Sequence, residues 1–364
     1  MTGLSWTTFR LSLRAPFRTA AGEVTERHGL VLRLATDAGL VGLGEASPHP
    51  AVGLAALREV EAALGQVAPR VIGADAACLD TLCASLPPAL ACAIDVAACD
   101  ALARARGVSV AGLLSQRVRT EVPVNATIGA ERADDAAREA AAHRAGFRCV
   151  KLKVGLASDV AEERERVAAV RDALGPEIVL RLDANGAWDP ERAIRTIQTL
   201  EPYNLELVEQ PVPAGDLDGL RRVQQAVATP IAADETITGL EAAQRVLELC
   251  AARVLVVKPM VVGGLRPARK IIEIAVRAGV SVVVTTTIDA GIGVAAALHL
   301  AATLPEDSPA CGLATGSFLA DDIVARPVAP RGGVMALPDG PGLGIELDEV
   351  ALSRYAVSHG EVRS

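Results

Sequence analysis

Apolar side chains fall at every second position in the run Leu4 to Leu13 and again in Leu30 to Leu34, the period of a strand with one buried face. Two antiparallel strands are the simplest reading. The segment Ala51 to Leu64 and the Ala- and Cys-rich segment Ala89 to Ala105 carry helical spacing instead, and Pro87-Pro88 stands before the second as an initiation signal. Residues 1–118 therefore read as an α+β unit. Past Val122 the pattern changes to short β-branched or apolar runs separated by helix-like segments: Val124 to Ile128, Cys149 to Val154, Ile178 to Asp183, Leu205 to Glu209, Ile231 to Glu235, Val254 to Lys258, Val282 to Thr287 and Ala310 to Thr315. A spacing of about 25 residues matches one strand, one helix and two loops. Eight such units predict an α/β fold, a closed (β/α) barrel over residues 119–325, with a doubly wound open sheet as the alternative. The Pro- and Gly-rich tail, 326–364, is too short for a domain and is expected to return to the N-terminal unit.

Composition narrows the possible partners. The chain has 364 residues, 51% of them hydrophobic, 22% charged and only 2% aromatic, with a net charge of −8. That is a globular profile built on small aliphatic side chains. Without a Lys/Arg run there is no clustered positive charge to recognise nucleic acid or an anionic membrane, and no stretch approaches the length of a spanning helix. A small-molecule partner fits better. The seven cysteines, at 78, 83, 92, 99, 149, 250 and 311, are odd in number and never spaced Cys-x-x-Cys. They read as thiols in a reducing cytoplasm rather than as a disulfide framework or a zinc site.

The chemistry is carried by charged residues inside apolar runs. Asp183, Glu209 and Asp234 each sit at or near the end of a predicted strand, 26 and 25 residues apart. On consecutive barrel strands they would share the C-terminal face, where barrel enzymes place their sites, and offer three hard oxygen donors to Mg²⁺. An acid after a strand also serves simply to cap the next helix. Three at constant spacing, each within a run that should be core, favour the metal. Lys151 and Lys153 flank Leu152, so a strand sends both to one face, the barrel interior. Lys258 ends the sixth run, four strands further round an eight-strand ring. Two facing ammonium groups would each disfavour the other's charge, and burial would add to this, lowering a lysine toward the range of a general base.

Lys151-Leu-Lys153, Leu182-Asp183-Ala-Asn185, Val208-Glu209-Gln-Pro211, Ala233-Asp234-Glu235-Thr236 and Val257-Lys258-Pro259 resemble, in this order, the motifs of the enolase superfamily in its muconate-lactonising subgroup. The resemblance covers nearly the whole chain, because the α+β start is similar to the capping domain that closes over the barrel in that family. It implies a barrel of the modified TIM type, with Mg²⁺ on Asp183, Glu209 and Asp234, Lys153 as base and Lys258 as the opposed cation. Lys151, Asn185 and Glu235 would support them. It further implies a small carboxylate substrate, an ene-diolate intermediate and a homo-oligomer.

Within that family the sequence favours one branch. Mandelate racemase-like members need a His base near the sixth and seventh strand ends, and none of the five histidines (28, 49, 143, 299, 359) falls there. His299, within the helical run Val294 to Leu304, reads as a packed or surface histidine. Dipeptide epimerases carry Asp-x-Asp at the eighth strand end to hold an ammonium, where this chain has Cys311-Gly-Leu-Ala-Thr315-Gly316-Ser317; Asp321-Asp322 comes several residues later. Thr285 to Gly293 and Cys311 to Leu319 most resemble the o-succinylbenzoate synthase family of menaquinone synthesis, which implies a syn dehydration. Racemisation of N-succinylamino acids or dipeptides, a muconate-type cycloisomerisation, and an inactive barrel that only binds remain the alternatives. Gly291-Ile-Gly293 also has a look of a dinucleotide fingerprint, but its third glycine position is Ala. In a barrel these glycines open a helix whose N-terminus would hold a substrate carboxylate, or they form only a tight turn. Expected substrate contacts are Arg18, Thr19, Ser47 and His49 from the loops 18–26 and 45–53, and Asp289, Gly291, Thr315 and Gly316 from the segments after the seventh and eighth runs, although ordinary polar turn residues look the same in sequence.

Overall fold

The computed structural model describes residues 1–19, 22–49, 53–74, 76–157 and 159–363, with side chains at all of these except 17–19, 22, 53, 76–78 and 80. The first three strands, β1 (Gly3–Thr19), β2 (Gly22–Ala35) and β3 (Val41–Ala46), form an antiparallel meander. Four helices follow: α1 (Gly53–Val71), α2 (Ala76–Cys83), α3 (Pro88–Ala105) and α4 (Val110–Leu114). The two alternating runs are thus paired as expected, Leu4 lying opposite Leu34 and Trp6 opposite Leu32. Helix α3 is almost wholly buried and packs against β3.

After β4 (Glu121–Pro123) the barrel begins. Its strands are β5 (Ala126–Ile128), β6 (Cys149–Lys153), β7 (Val179–Asp183), β8 (Leu205–Glu209), β9 (Ile231–Ala233), β10 (Val254–Val257) and β11 (Ser281–Val284). They form one parallel sheet in sequence order. Between them run α5 (Ala133–Arg144), α6 (Val160–Leu174), α7 (Pro190–Leu200), α8 (Leu217–Ala226), α9 (Leu240–Glu248), α10 (Pro259–Val262) and α11 (Leu265–Arg277), and α12 (Gly291–Ala301) follows β11. The eighth run differs from expectation. Cys311 and Gly312 make only isolated parallel bridges, to Val124 and Thr285, before a 3₁₀ turn over Ala314–Phe318. Those bridges still close the ring: the Cys311 amide donates to the Pro123 carbonyl at 2.7 Å, and the Gly312 amide to the Val284 carbonyl at 2.9 Å. A two-residue bridge suffices because the neighbouring strands end on either side of it.

The tail holds β12 (Val334–Ala336), paired with β4, then α13 (Glu349–Tyr355) and β13 (Ala356–Arg363), which pairs antiparallel with β1. Inside the barrel, Leu207, Ala232, Val254, Val256 and Val283 make a small apolar cluster. Arg181 is buried in the same interior and donates to the carbonyl of Ala310 at 2.7 Å, spanning the ring. The strand period then places the next inward residues at the strand ends. Among the described residues no helix is long and apolar enough to cross a membrane.

His299 proves to be structural. It is fully buried on α12, accepts from the Ala111 amide at Nδ1 (3.2 Å), and lies 3.0 Å from the Leu343 carbonyl at Nε2, so the neutral ring with the proton on Nε2 satisfies both partners. Burial pushes its pKa down to about 4, from an ordinary value of 6.5. The unfolded chain therefore binds a proton at this site before the folded one does, and stability is lost as pH falls from 6.5 through about 4. One histidine with this shift contributes on the order of 3 kcal/mol across the window. We expect His299→Gln to flatten the dependence of unfolding free energy on pH between those limits relative to the wild type, as read by urea titration; parallel curves for the two proteins would rule this account out.

Candidate active site

The strand ends of the barrel open into a cavity of about 260 Å³. Because Lys151 and Lys153 are two apart on β6, both turn inward, and the register sets Lys153 beside Asp183 and Asp183 beside Glu209. The Lys151 ammonium donates to Asp183 Oδ2 and to Glu209 Oε1, both at 2.8 Å. Lys153 donates to Asp183 Oδ2 at 2.6 Å and Asn185 Oδ1 at 2.8 Å. Across the ring, Lys258 follows β10 and donates to Asp234 Oδ2 at 2.7 Å. Asn185 donates onward to Glu235 Oε1 at 2.9 Å. All eight of these residues line the one cavity.

The electrostatics reverse one expectation. The lysines do not face one another as naked cations; each ammonium donates to a carboxylate. Burial alone would lower Lys151, but Asp183, Glu209 and Asp234 outweigh it and hold its pKa above the ordinary lysine range. Lys258 is likewise depressed by burial and raised further by Asp234 and Glu235, the net direction being upward. Asp183 feels burial, which would raise it, yet the two adjacent ammonium groups keep it well below the usual carboxylate range. Glu209 is pushed up to about 8, first by burial and then by the charge of Asp183.

Asp183, Glu209 and Asp234 are 0%, 3% and 4% exposed. Among the described residues no three acidic, His or Cys side chains close around a single point as an ion cage. The Lys151 ammonium bridges two of the carboxylates instead. The donor chemistry nevertheless fits a divalent cation. Among the described residues the strand ends bring four carboxylates, Asp183, Glu209, Asp234 and Glu235, against three ammonium groups, and Glu235 Oε2 is buried without a hydrogen-bond partner. Four oxygen-donor side chains at adjoining strand ends, one with an unsatisfied oxygen, are a set of hard ligands that a divalent cation would suit.

The remaining expected contacts separate. His49 and Thr315 line the cavity; burial, with Lys258 next in weight, pushes His49 down to about 4, so its imidazole is neutral. Arg18 and Thr19 fall outside the residues whose side chains are described. Ser47 is fully buried and donates to Glu45 Oε1 at 2.6 Å, away from the cavity lining. Asp289 is buried and accepts from the Thr287 hydroxyl at 2.6 Å. Gly291 and Gly316 line a different cavity, shared with Asp321 and Asp322. The idea that the α12 N-terminus holds a substrate carboxylate is corrected: the Gly291 amide already donates to Asp322 Oδ1 (2.9 Å), and the Ala290 and Gly293 amides to the two Glu45 oxygens (both 2.8 Å). The glycines there serve packing, since a Cβ on Gly291 would lie 2.3 Å from Val324 and one on Gly293 2.6 Å from Asp289. The same occupancy removes the dinucleotide reading.

Sequence reasoning missed several residues. Gln210, buried and with φ of 38°, accepts from the Asp234 and Thr236 amides and donates to the Val212 carbonyl, locking the end of β8 to that of β9. Its signal was a polar side chain inside the Val208-Glu209-Gln-Pro211 motif. Thr127, Thr285, Thr286, Thr287, Val24, Ile288 and Phe318 also line the cavity; all but Thr127 fall in the loop 18–26 or the segments Thr285 to Gly293 and Cys311 to Leu319, yet none was expected singly as a contact.

Residues 134–351 match the family model "Enolase C-terminal domain-like", and residues 2–115 match "Mandelate racemase / muconate lactonizing enzyme, N-terminal domain". An o-succinylbenzoate synthase of Thermobifida fusca is 43% identical over 219 residues, 60% of this chain and 67% of that one. An L-Ala-D/L-Glu epimerase of Bacillus subtilis is 31% identical over 92% of this chain and 93% of its own length. A dipeptide epimerase of Enterococcus faecalis, solved with Mg and the dipeptide L-Leu-L-Tyr, superposes with a TM-score of 0.87 at 29% identity, covering 95% of this chain and 100% of its own. Two matching domain models, the barrel with its N-terminal unit and the ordered lysine and carboxylate motifs lead to one assignment: the chain belongs to the enolase superfamily, in its muconate-lactonising subgroup.

Proposed function

We propose that the protein is an Mg²⁺-dependent o-succinylbenzoate synthase, dehydrating 2-succinyl-6-hydroxy-2,4-cyclohexadiene-1-carboxylate. The observation that carries the reading is that Lys153 and Lys258 reach one buried cavity from strands four places apart in the ring. Asp183, Glu209 and Asp234 would hold the metal. When bound, it supplies Lewis-acid stabilisation of the charge that develops on the substrate carboxylate. In its neutral amine form the Lys153 Nζ, oriented by Asn185 and Asp183, takes the proton from the carbon bearing the carboxylate and becomes an ammonium. The same nitrogen then returns that proton to the hydroxyl on the adjacent carbon, which leaves as water, and the ring becomes aromatic. Lys258 stabilises developing negative charge from the other face.

Dehydration is favoured over dipeptide epimerisation by the segment after α12. Residues 310–318 contain no acid, and the two acids that follow are committed elsewhere. Asp322 accepts from the Gly291 and Ile323 amides, and Asp321 accepts from the Tyr355 hydroxyl. Neither lines the catalytic cavity, so no carboxylate from this side meets a substrate ammonium. The identity to the Thermobifida fusca synthase points the same way. Racemisation of N-acylated amino acids, whose amine is masked, is the second reading, because the same two lysines would exchange an α-proton from either face. The thiols of Cys92, Cys149, Cys250 and Cys311 are free, which supports a reducing compartment for this activity.

Purified protein with Mg²⁺ is expected to turn over the cyclohexadiene carboxylate, followed by loss of its ultraviolet absorbance; no turnover, with N-acylamino acids racemised instead, would overturn the assignment. Lys153→Arg, which keeps the charge and removes the base, should lower kcat/KM by about 10²–10⁴-fold. Lys258→Arg should lose less than Lys153→Arg, and equal losses would contradict the division of roles. Mg²⁺ at about 100 times its Kd should stabilise the fold by about 2.7 kcal/mol, visible as a rise in Tm, and Asp234→Asn should reduce that rise; a Tm indifferent to Mg²⁺ would exclude the metal site.

A further inference from the structure

Five non-glycine residues among those described have positive φ, and only Ile288, at 65°, is β-branched. A β-branched side chain rarely adopts left-handed backbone, so something must hold it there. The cavity lining shows what the conformation achieves. Its apolar side chains of any size, among the described residues, are Val24, Ile288 and Phe318, and the rest of the lining is mostly polar or charged.

The restraint comes from the N-terminal domain. Arg27 on β2 is 2% exposed, and its Nε donates to the Ile288 carbonyl at 2.9 Å. Its other nitrogens donate to the carbonyls of Pro48 and Ser47, both at 2.6 Å, and to the Thr287 hydroxyl at 3.2 Å. On either side of Ile288, Asp289 accepts from the Thr287 amide and hydroxyl, and Glu45 on β3 accepts from the Ala290 amide. The guanidinium fork thus joins the loop after β3 to the loop after β11, fixing the Ile288 peptide unit from one side.

We propose that Arg27 is a positioning residue that holds Ile288 in left-handed backbone, so that its side chain forms the apolar wall on which the substrate's carbon ring packs. The substrate-ring part rests on the dehydration reading above; the coupling between Arg27 and Ile288 does not. The wall makes Ile288 a specificity-determining residue, favouring planar unsaturated ring carboxylates over acyclic ones.

Urea unfolding of the full chain is to be measured for the wild type, Arg27→Met, Ile288→Gly and the double variant. Glycine accepts positive φ without a restraint. Arg27→Met should therefore lower the folding equilibrium constant at least fivefold more in the wild-type background than in the Ile288→Gly background. Additive effects, within twofold, would overturn the proposal. If Arg27→Met fails to fold, the same cycle with Arg27→Lys decides. In the dehydration assay, Arg27→Lys and Arg27→Met should raise KM progressively, to tenfold or more for the latter, with kcat changed less than threefold. Ile288→Gly should narrow the preference for the ring substrate over an N-acylamino acid by about tenfold. Unchanged KM and preference in active variants would overturn the role in specificity. Wild-type protein that never turns over the ring substrate would count against the dehydration reading alone, leaving the unfolding cycle to judge Arg27.

Discussion

Everything at the centre of this protein depends on burying like charges together. Asp183, Glu209 and Asp234 sit at adjoining strand ends with almost no solvent contact, where an unpaired carboxylate costs several kcal/mol. Lys151, Lys153 and Lys258 meet that cost in part, each ammonium donating to one or two of the acids. The compensation is incomplete, as the elevated pKa of Glu209 and the orphaned oxygen of Glu235 record. On the proposed reading, one more cation would complete this compensation. Beneath the site lies the apolar interior layer of the barrel, Leu207, Ala232, Val254, Val256 and Val283.

The second constraint is the grip of the N-terminal domain on the barrel. Arg27 and Glu45, from neighbouring strands of one sheet, satisfy backbone groups on the loop after β11 and at the start of α12. Glu45 is pushed up to about 7, chiefly by burial and then by Asp289, so this contact is itself a compact acid cluster steadied by helix amides, a hydroxyl and a guanidinium. The two domains therefore do not merely touch. Each supplies groups that the other's backbone needs, and the cavity between them takes its shape from that exchange. His299 plays the same part lower down, joining α12 to α4 and to the tail through two backbone groups.

Much of the architecture was legible in the chain. Period-two alternation marked β1 and β2, and the repeated β-branched runs marked seven barrel strands to within a few residues. The eighth was overestimated, because a run of the right composition gives no hint that only Cys311 and Gly312 will find partners. Lys151 and Lys153 could be sent to one face from their spacing alone, and the even separation of the three acids put them at neighbouring strand ends. Gly291 and Gly293 misled for a physical reason: amides at a helix start look available in sequence, and only the fold brings Glu45 and Asp322 to occupy them.

What the sequence determined by itself was whatever a few neighbouring residues encode: strand and helix periods, the inward face of each strand, and the set of charged groups at the barrel mouth. What only the tertiary structure decided was the partner of each group. The direction of the lysine pKa shifts turned on which carboxylates lay within hydrogen-bonding reach, and Gln210, Arg27 and Ile288 acquired their roles from strands and loops remote in the chain. The physical reason is range. Periodicity is a property of the local backbone, whereas Coulomb and hydrogen-bond energies depend on distances that exist only once the ring has closed.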